Sequence, residues 1–191
     1  ALSSAASDVY KRQVYTKQFG KKAYITKATS QLMRDLGSIP SPNNCFLLNI
    51  GLETLPLRME RHCSNAQKTA EFLASHEKVS KVIYPGLPGD KYHALAEKYL
   101  PNGSCGVISF ELEGGREAAV RFMDSLELAN ICTHVAASKT MVLHPASHTH
   151  RQMNDEQLRE AGVSPGMIRL SVGIEHIDDI LADLEKALKN A

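Results

Sequence analysis

The sequence predicts an α/β protein: a small two-layer α+β sandwich, mostly antiparallel in its sheet and covered by helices on one face, preceded by a long helical connector. Three observations carry this. Ile168-Arg169-Leu170-Ser171-Val172-Gly173-Ile174 alternates apolar and non-apolar residues, the signature of a half-buried strand. Ile177, Ile180, Leu181, Leu184 and Leu188 share one helical face, and Asp178 and Asp179 occupy the first turn, where acidic groups suit the helix dipole. Ahead of these lies a long helical pattern, expected in two pieces because Pro56 breaks or bends a helix interior.

The remaining elements follow in chain order. Tyr24 to Leu36 reads as a short helix stopped by Gly37, and Ser41-Pro42-Asn43-Asn44 as a turn that starts the next helix. Beyond Pro56, Met59, Cys63, Ala66, Ala70 and Leu73 recur at helical spacing and predict a buried stripe. Val79 to Tyr84 and Cys105 to Leu112 read as strands, and Asp90 to Leu100 as the helix between them, closed by Pro101-Asn102-Gly103. Ala119, Phe122, Met123 and Leu126 mark an amphipathic helix after Gly114-Gly115. Short strands are expected near Ile131 to His134 and Thr140 to Leu143, then a helix over Asn154 to Ala161 with Gly162 as its stop.

The bulk numbers bound the function class. Lys plus Arg number 22 against 21 Asp plus Glu, a net charge of +1, so there is no electrostatic case for nucleic acid or an anionic membrane. No apolar run approaches a membrane span, and the start has no signal-peptide pattern. Four widely spaced cysteines without a Cys-x-x-Cys pair argue against zinc or a disulfide framework; reduced, mostly buried thiols in a cytoplasmic protein are the expectation. Residues 1–13 show no period, cap or apolar face, and Asp8-Val9-Tyr10-Lys11-Arg12-Gln13 looks like a translated transposon end. They are expected to be a disordered library scar, which makes the chain a C-terminal piece of a longer protein.

Candidate chemistry centres on Arg169. An arginine on a rigid strand beside Ser171 and Gly173 suits a carboxylate, because its planar fork gives two charge-assisted hydrogen bonds, although the strand alone favours a surface or salt-bridged arginine. His144, His148 and His150 lie close together, but Pro145 follows the first and no carboxylate or cysteine has matching spacing, so a hydrogen-bonded loop is expected rather than a metal site. Lys27 lies in a polar, basic helix and reads as solvent-exposed rather than as an amine nucleophile. Gly114-Gly115 matches neither a P-loop nor a dinucleotide fingerprint and reads as a plain turn. The residues alone describe a binding surface and no complete catalytic machine.

Several blocks together resemble a known family. They are Ala23-Tyr24-Ile25-Thr26-Lys27-Ala28 with Arg34-Asp35-Leu36-Gly37, then Ser41-Pro42-x-Asn44, and Gly51-Leu52-Glu53-Thr54-Leu55-Pro56-Leu57-Arg58-Met59-Glu60-Arg61-His62. Tyr84-Pro85-Gly86-Leu87, His144-Pro145-Ala146-Ser147-x-Thr149-His150 and Arg169-Leu170-Ser171-Val172-Gly173-Ile174-Glu175 follow in order. Over nearly all of Val14 to Ala191 the sequence resembles the C-terminal part of the pyridoxal-phosphate (PLP) enzymes of cysteine and methionine metabolism, closest to the O-acetylhomoserine sulfhydrylase (homocysteine synthase) branch.

The resemblance implies the small C-terminal domain of a fold-type I PLP-dependent transferase. Residues 14–40 would end the large cofactor domain, 41–78 form the connector, and 79–191 close over the substrate. The cofactor would be pyridoxal 5'-phosphate, held on a lysine upstream of Val14, so no catalytic or cofactor-binding residue is expected in this chain. Arg169 would pair with the substrate's α-carboxylate, with Thr140 near it and Asn44 at the substrate end of the connector. The implied reaction replaces the acetate of O-acetylhomoserine by sulfide or a thiol, giving homocysteine or methionine, in a cytoplasmic homotetramer when full length. The fragment alone would be inactive. Asn43, Ile50 and Ala137 depart from the family pattern, and Ala137, where aspartate is expected, loosens the loop before Thr140. Two alternatives stay open: a cystathionine γ-synthase, cystathionine γ-lyase or methionine γ-lyase of the same family, or a stand-alone, non-catalytic amino-acid-binding domain.

Overall fold

The computed structural model describes residues 9–10 and 13–191, which divide into two compact units at Glu53/Thr54. The expected scar therefore lies largely outside the described residues. Where it is described, Val9–Tyr10 (β1) pairs antiparallel with Gln13–Val14 (β2), an element without a sequence signal.

In the first unit, helical turns follow without interruption: α1 (Tyr15–Phe19), a 3-10 turn (Gly20–Lys22), α2 (Ala23–Lys27), a π-helical segment (Ala28–Met33) and α3 (Arg34–Leu36). Gly37 stops the run as expected, in the left-handed conformation at φ 64°, with its N–H on Met33 O. Tyr15 and Ala23 form a small buried cluster. The exposure expected for Lys27 is corrected, because it is only 8% exposed. It sits one turn after Ala23 on the same face, where a lysine stem buries readily while its head group stays engaged. Helix α4 (Pro42–Glu53) starts at the expected turn, with Ser41 Oγ accepting from Asn44 N at 3.2 Å.

The second unit holds the sandwich. Helix α5 (Leu55–Ser75) begins just before Pro56, which sits in the first turn where its missing N–H is harmless. The expected 41–78 connector is thus two helices, one in each unit. Strands β3 (Val79–Ile83), β4 (Val107–Leu112), β5 (Asn130–Ile131), β6 (Met141–Leu143) and β7 (Met167–Ser171) form one sheet in the order β3-β4-β7-β6-β5. All pairs are antiparallel except β5 with β6. Helices α6 (His93–Tyr99), α7 (Gly115–Asp124), α8 (Asp155–Glu160) and α9 (Ile177–Lys189) complete the unit.

Alternation along the strands decides the layers. Ile108, Phe110, Val142, Ile168 and Leu170 pack in one core with Ala66, Ala70 and Leu73 of α5, Ala119 and Phe122 of α7, and Ile180, Leu184 and Leu188 of α9. Phe110 and Phe122 meet edge-on at 5.6 Å. Each such side chain contributes on the order of 1.5–3 kcal/mol by leaving water.

Two expected stripes shift. On α5 the buried residues are His62, Asn65, Ala66, Thr69, Ala70 and Leu73, while Met59 is exposed and Cys63 only half-buried. His62 and Asn65 are buried there because they have backbone partners just beyond β7, whereas the buried Thr69 hydroxyl finds none among the described residues. On α9 Asp183 joins the buried face, its two carboxylate oxygens accepting from Glu127 N at 2.8 Å and Ala129 N at 2.9 Å. All four cysteines are free, but none is fully buried: Cys45 is exposed and Cys63, Cys105 and Cys132 are intermediate. No helix among the described residues is long and apolar enough to cross a membrane.

Candidate functional site

Ile168 and Leu170 point into the core, so Arg169 projects from the opposite face of β7, near the middle of the sheet. Ser109 of β4 and Leu143 of β6 flank it in register. Its Nη2 donates to Thr133 O at 2.7 Å. Its Nε is buried and finds no hydrogen-bond partner among the described residues. A buried charged donor left unmet costs about 1–3 kcal/mol, so the fork holds unused capacity for an acceptor.

A loop over residues 132–139 lies along the same strand. Thr133 O takes the Arg169 bond, Ala136 N donates to Ser171 Oγ at 3.0 Å, and Ile174 N donates to Ser138 O at 2.9 Å. Ala136 sits at φ 60°, a conformation that side-chain-bearing residues adopt only when their surroundings impose it.

The loop ends at Thr140, which is completely buried. Its N–H and hydroxyl both donate to the Glu175 carboxylate, at 2.6 and 2.9 Å, and the hydroxyl accepts from Gly173 N at 2.9 Å. Thr140 is therefore committed inside the protein, next to the Arg169 strand. Helix α5 holds the other side of this knot: Asn65 donates to the carbonyls of Gly173 and Glu175, each at 3.0 Å, and His62 Nδ1 donates to Val172 O at 2.6 Å. The alternation was expected to continue to Ile174, but β7 stops at Ser171 because these side chains capture the following backbone.

Asn44 is exposed on the first turn of α4, in the first unit. The histidine cluster forms a hydrogen-bonded loop. His144 is buried, its Nε2–H on Pro165 O at 2.8 Å and its Nδ1 accepting from Ser147 Oγ at 2.9 Å, while His148 Nδ1 reaches the same hydroxyl at 3.0 Å. Burial, above all, holds the His144 imidazole below its usual pKa against the opposing hydrogen bond to Pro165 O, with Arg116 and His148 also lowering it. Gly115 packs its backbone against Gly166 at the entry to α7.

A separate cavity of about 530 Å³ lies between α5, the Tyr84–Gly86 turn and α6, and holds neither Arg169 nor Thr140. Cys63 lines it, but burial, helped by neighbouring Cys105, pushes its thiol pKa up, which suits packing rather than nucleophilic attack.

Sequence reasoning missed His62, Asn65, Glu175 and Asp183. A usable signal existed for three of them, since His62, Asn65 and Asp183 are polar residues on helix faces otherwise marked as apolar.

This geometry has relatives. The family model for Cys/Met metabolism PLP-dependent enzymes matches residues 13–189. The chain belongs to that family. Among its relatives, the O-acetyl-L-homoserine sulfhydrylase of Leptospira meyeri is 52% identical over 169 residues, covering 88% of this chain and 38% of the relative. The homocysteine synthase of Schizosaccharomyces pombe is 46% identical over 182 residues, covering 95% of this chain and 42% of that protein. The crystal structure of a putative O-acetylhomoserine (thiol)-lyase from Campylobacter jejuni, which carries N'-pyridoxyl-lysine-5'-monophosphate, aligns with a TM-score of 0.79 at 40% identity, over 91% of this chain and 41% of that one. The chain thus spans about two fifths of the length of its family relatives.

Proposed function

We propose that this chain supplies the substrate-carboxylate site of an O-acetylhomoserine sulfhydrylase, in which sulfide or a thiol replaces acetate to form homocysteine or methionine. The observation that carries the reading is Arg169, anchored by one Nη2 bond to Thr133 O and left with a buried, unmet Nε. A carboxylate completes the fork with charge-assisted bonds that a lysine cannot reproduce. The sulfhydrylase branch is supported by the names borne by relatives at 46–52% identity.

In this reading Arg169 binds and orients, and Thr140 stands behind it as part of the frame. For Asn44 the resemblance alone supports a substrate contact. Pyridoxal phosphate, when bound, supplies the electron sink for elimination and replacement. What the described residues add is a fixed position for the amino acid, so that its reacting carbons meet that chemistry in one orientation. The domain roles proposed for 14–40, 41–78 and 79–191, a cytoplasmic location and a homo-oligomeric full-length enzyme accompany the reading.

The test is Arg169→Lys in the full-length enzyme. Loss of the bidentate contact raises KM for O-acetylhomoserine roughly tenfold or more, with a smaller fall in kcat. An unchanged KM overturns the assignment. Product analysis with O-acetylhomoserine plus sulfide, against cystathionine, separates replacement from the lyase and γ-synthase alternatives.

A further inference from the structure

We propose that Glu175 is a positioning residue for Arg169, acting through Thr140 and the 132–139 loop. The inference rests on the carboxylate-binding reading of Arg169 given above.

Ala136 is held at φ 60° in a loop whose two ends have different anchors. One end is Thr133, whose carbonyl takes the Arg169 guanidinium. The other is Thr140, pinned by both oxygens of the Glu175 carboxylate. An ionised carboxylate only accepts, so it fixes the direction of the Thr140 hydroxyl: the proton points to Glu175, and a lone pair is left for Gly173 N–H. Without that pin the strained segment keeps its Ser171 and Ile174 contacts and its backbone bonds at either end, but the Thr140 side chain loses its fixed direction, and Thr133 O drifts from the position that orients Arg169.

The surroundings are shaped for this contact. A Cβ on Gly173 would collide with Glu175 Oε2 and lie 2.5 Å from Thr140 N, so glycine is what lets the carboxylate approach. Asn65 fixes the main chain on both sides of the contact, at Gly173 O and Glu175 O. The carboxylate therefore arrives from a segment that α5 holds still, and its hydrogen bonds act on the loop rather than on itself.

The experiment uses the full-length enzyme with Glu175→Gln, Thr140→Val, their combination, and Arg169→Lys as reference. Two quantities are read: KM against kcat for O-acetylhomoserine, and the calorimetric Kd of 4-acetoxybutyrate, the same skeleton without its amino group. Glu175→Gln is expected to raise KM and Kd by about five- to twentyfold while kcat changes less, as for lost uniform binding. The double variant should be no worse than the poorer single one, because both changes break the same contact. A fall in melting temperature with KM and Kd unchanged would make Glu175 merely structural and overturn the inference, leaving Arg169 in place. Additive losses overturn the route through Thr140. Unchanged KM in Arg169→Lys removes the carboxylate reading and this inference together. If Glu175→Gln does not fold, Thr140→Val alone decides: KM and Kd rise and Thr140→Ser restores them, or the inference fails.

Discussion

His62 donates its Nδ1–H to Val172 O across 2.6 Å, tying α5 to the chain just beyond β7. A carbonyl can only accept, so this contact sets the tautomer and leaves Nε2 as the second ring nitrogen, which is buried without a partner among the described residues. The relation is the shortest of the three side-chain bonds from α5 to the 172–175 segment. His62→Phe keeps an aromatic ring and removes the donor, leaving the Val172 carbonyl unmet. The expected cost is about 1–3 kcal/mol of unfolding free energy. Urea denaturation measures it, and an unchanged midpoint would show that the contact contributes nothing net.

Gly166 tests the packing of the α7 entry turn. A Cβ there would stand 2.8 Å from Gly115 C and 2.9 Å from its Cα, both backbone atoms that cannot rotate away. Gly166→Ala is expected to lower stability by roughly 1–3 kcal/mol, since overpacking forces the backbone to move. Gly89→Ala is the control: its Cβ would meet nothing within 4 Å, and that variant should be neutral or slightly more stable. Equal melting temperatures for the two variants would contradict the packing described.

His144 predicts a pH dependence. Its folded-state pKa lies below the ordinary 6.5, mainly because burial disfavours the charged ring. Between the folded value and 6.5 the unfolded chain therefore binds more protons than the folded one, and stability rises with pH. The contribution is complete above 6.5 and declines as pH falls through that value toward the folded pKa. His144→Gln can keep a donor for Pro165 O and an acceptor for Ser147 without titrating. It should flatten the loss of stability between about pH 7 and 5. Thermal unfolding across that range measures the slope, and parallel profiles for parent and variant would remove His144 as its source.

Local signals reached far where one residue type decides the outcome. Gly37 and Pro56 punctuate the helices where their backbone chemistry requires, and the Ile168–Leu170 alternation places Arg169 on the face away from the core. The α5 stripe was read as Met59, Cys63, Ala66, Ala70 and Leu73, yet His62, Asn65 and Thr69 are buried in place of the first two. Hydropathy ranks those polar residues as solvent-facing. The burial of His62 and Asn65 depends on backbone acceptors that arrive from more than one hundred residues away, at Val172, Gly173 and Glu175. Lys27 shows the same limit over a shorter distance, since its helix looks basic and exposed until Ala23 sets the buried face.

By itself, then, the amino-acid sequence determined the order of the main elements beyond Tyr24, the two-layer class, the family resemblance and the choice of Arg169, because periodicity, turn residues and motif order are properties of short stretches. The resemblance also singled out Thr140 beside the carboxylate site proposed at Arg169. The tertiary structure alone decided what Thr140 does there: buried, it gives its N–H and hydroxyl to Glu175 and takes the N–H of Gly173. Hydrogen-bond partnership across 35 and 33 residues is a matter of distance and direction in space. A one-dimensional pattern carries neither, so a residue's type can be read in advance while its partner cannot.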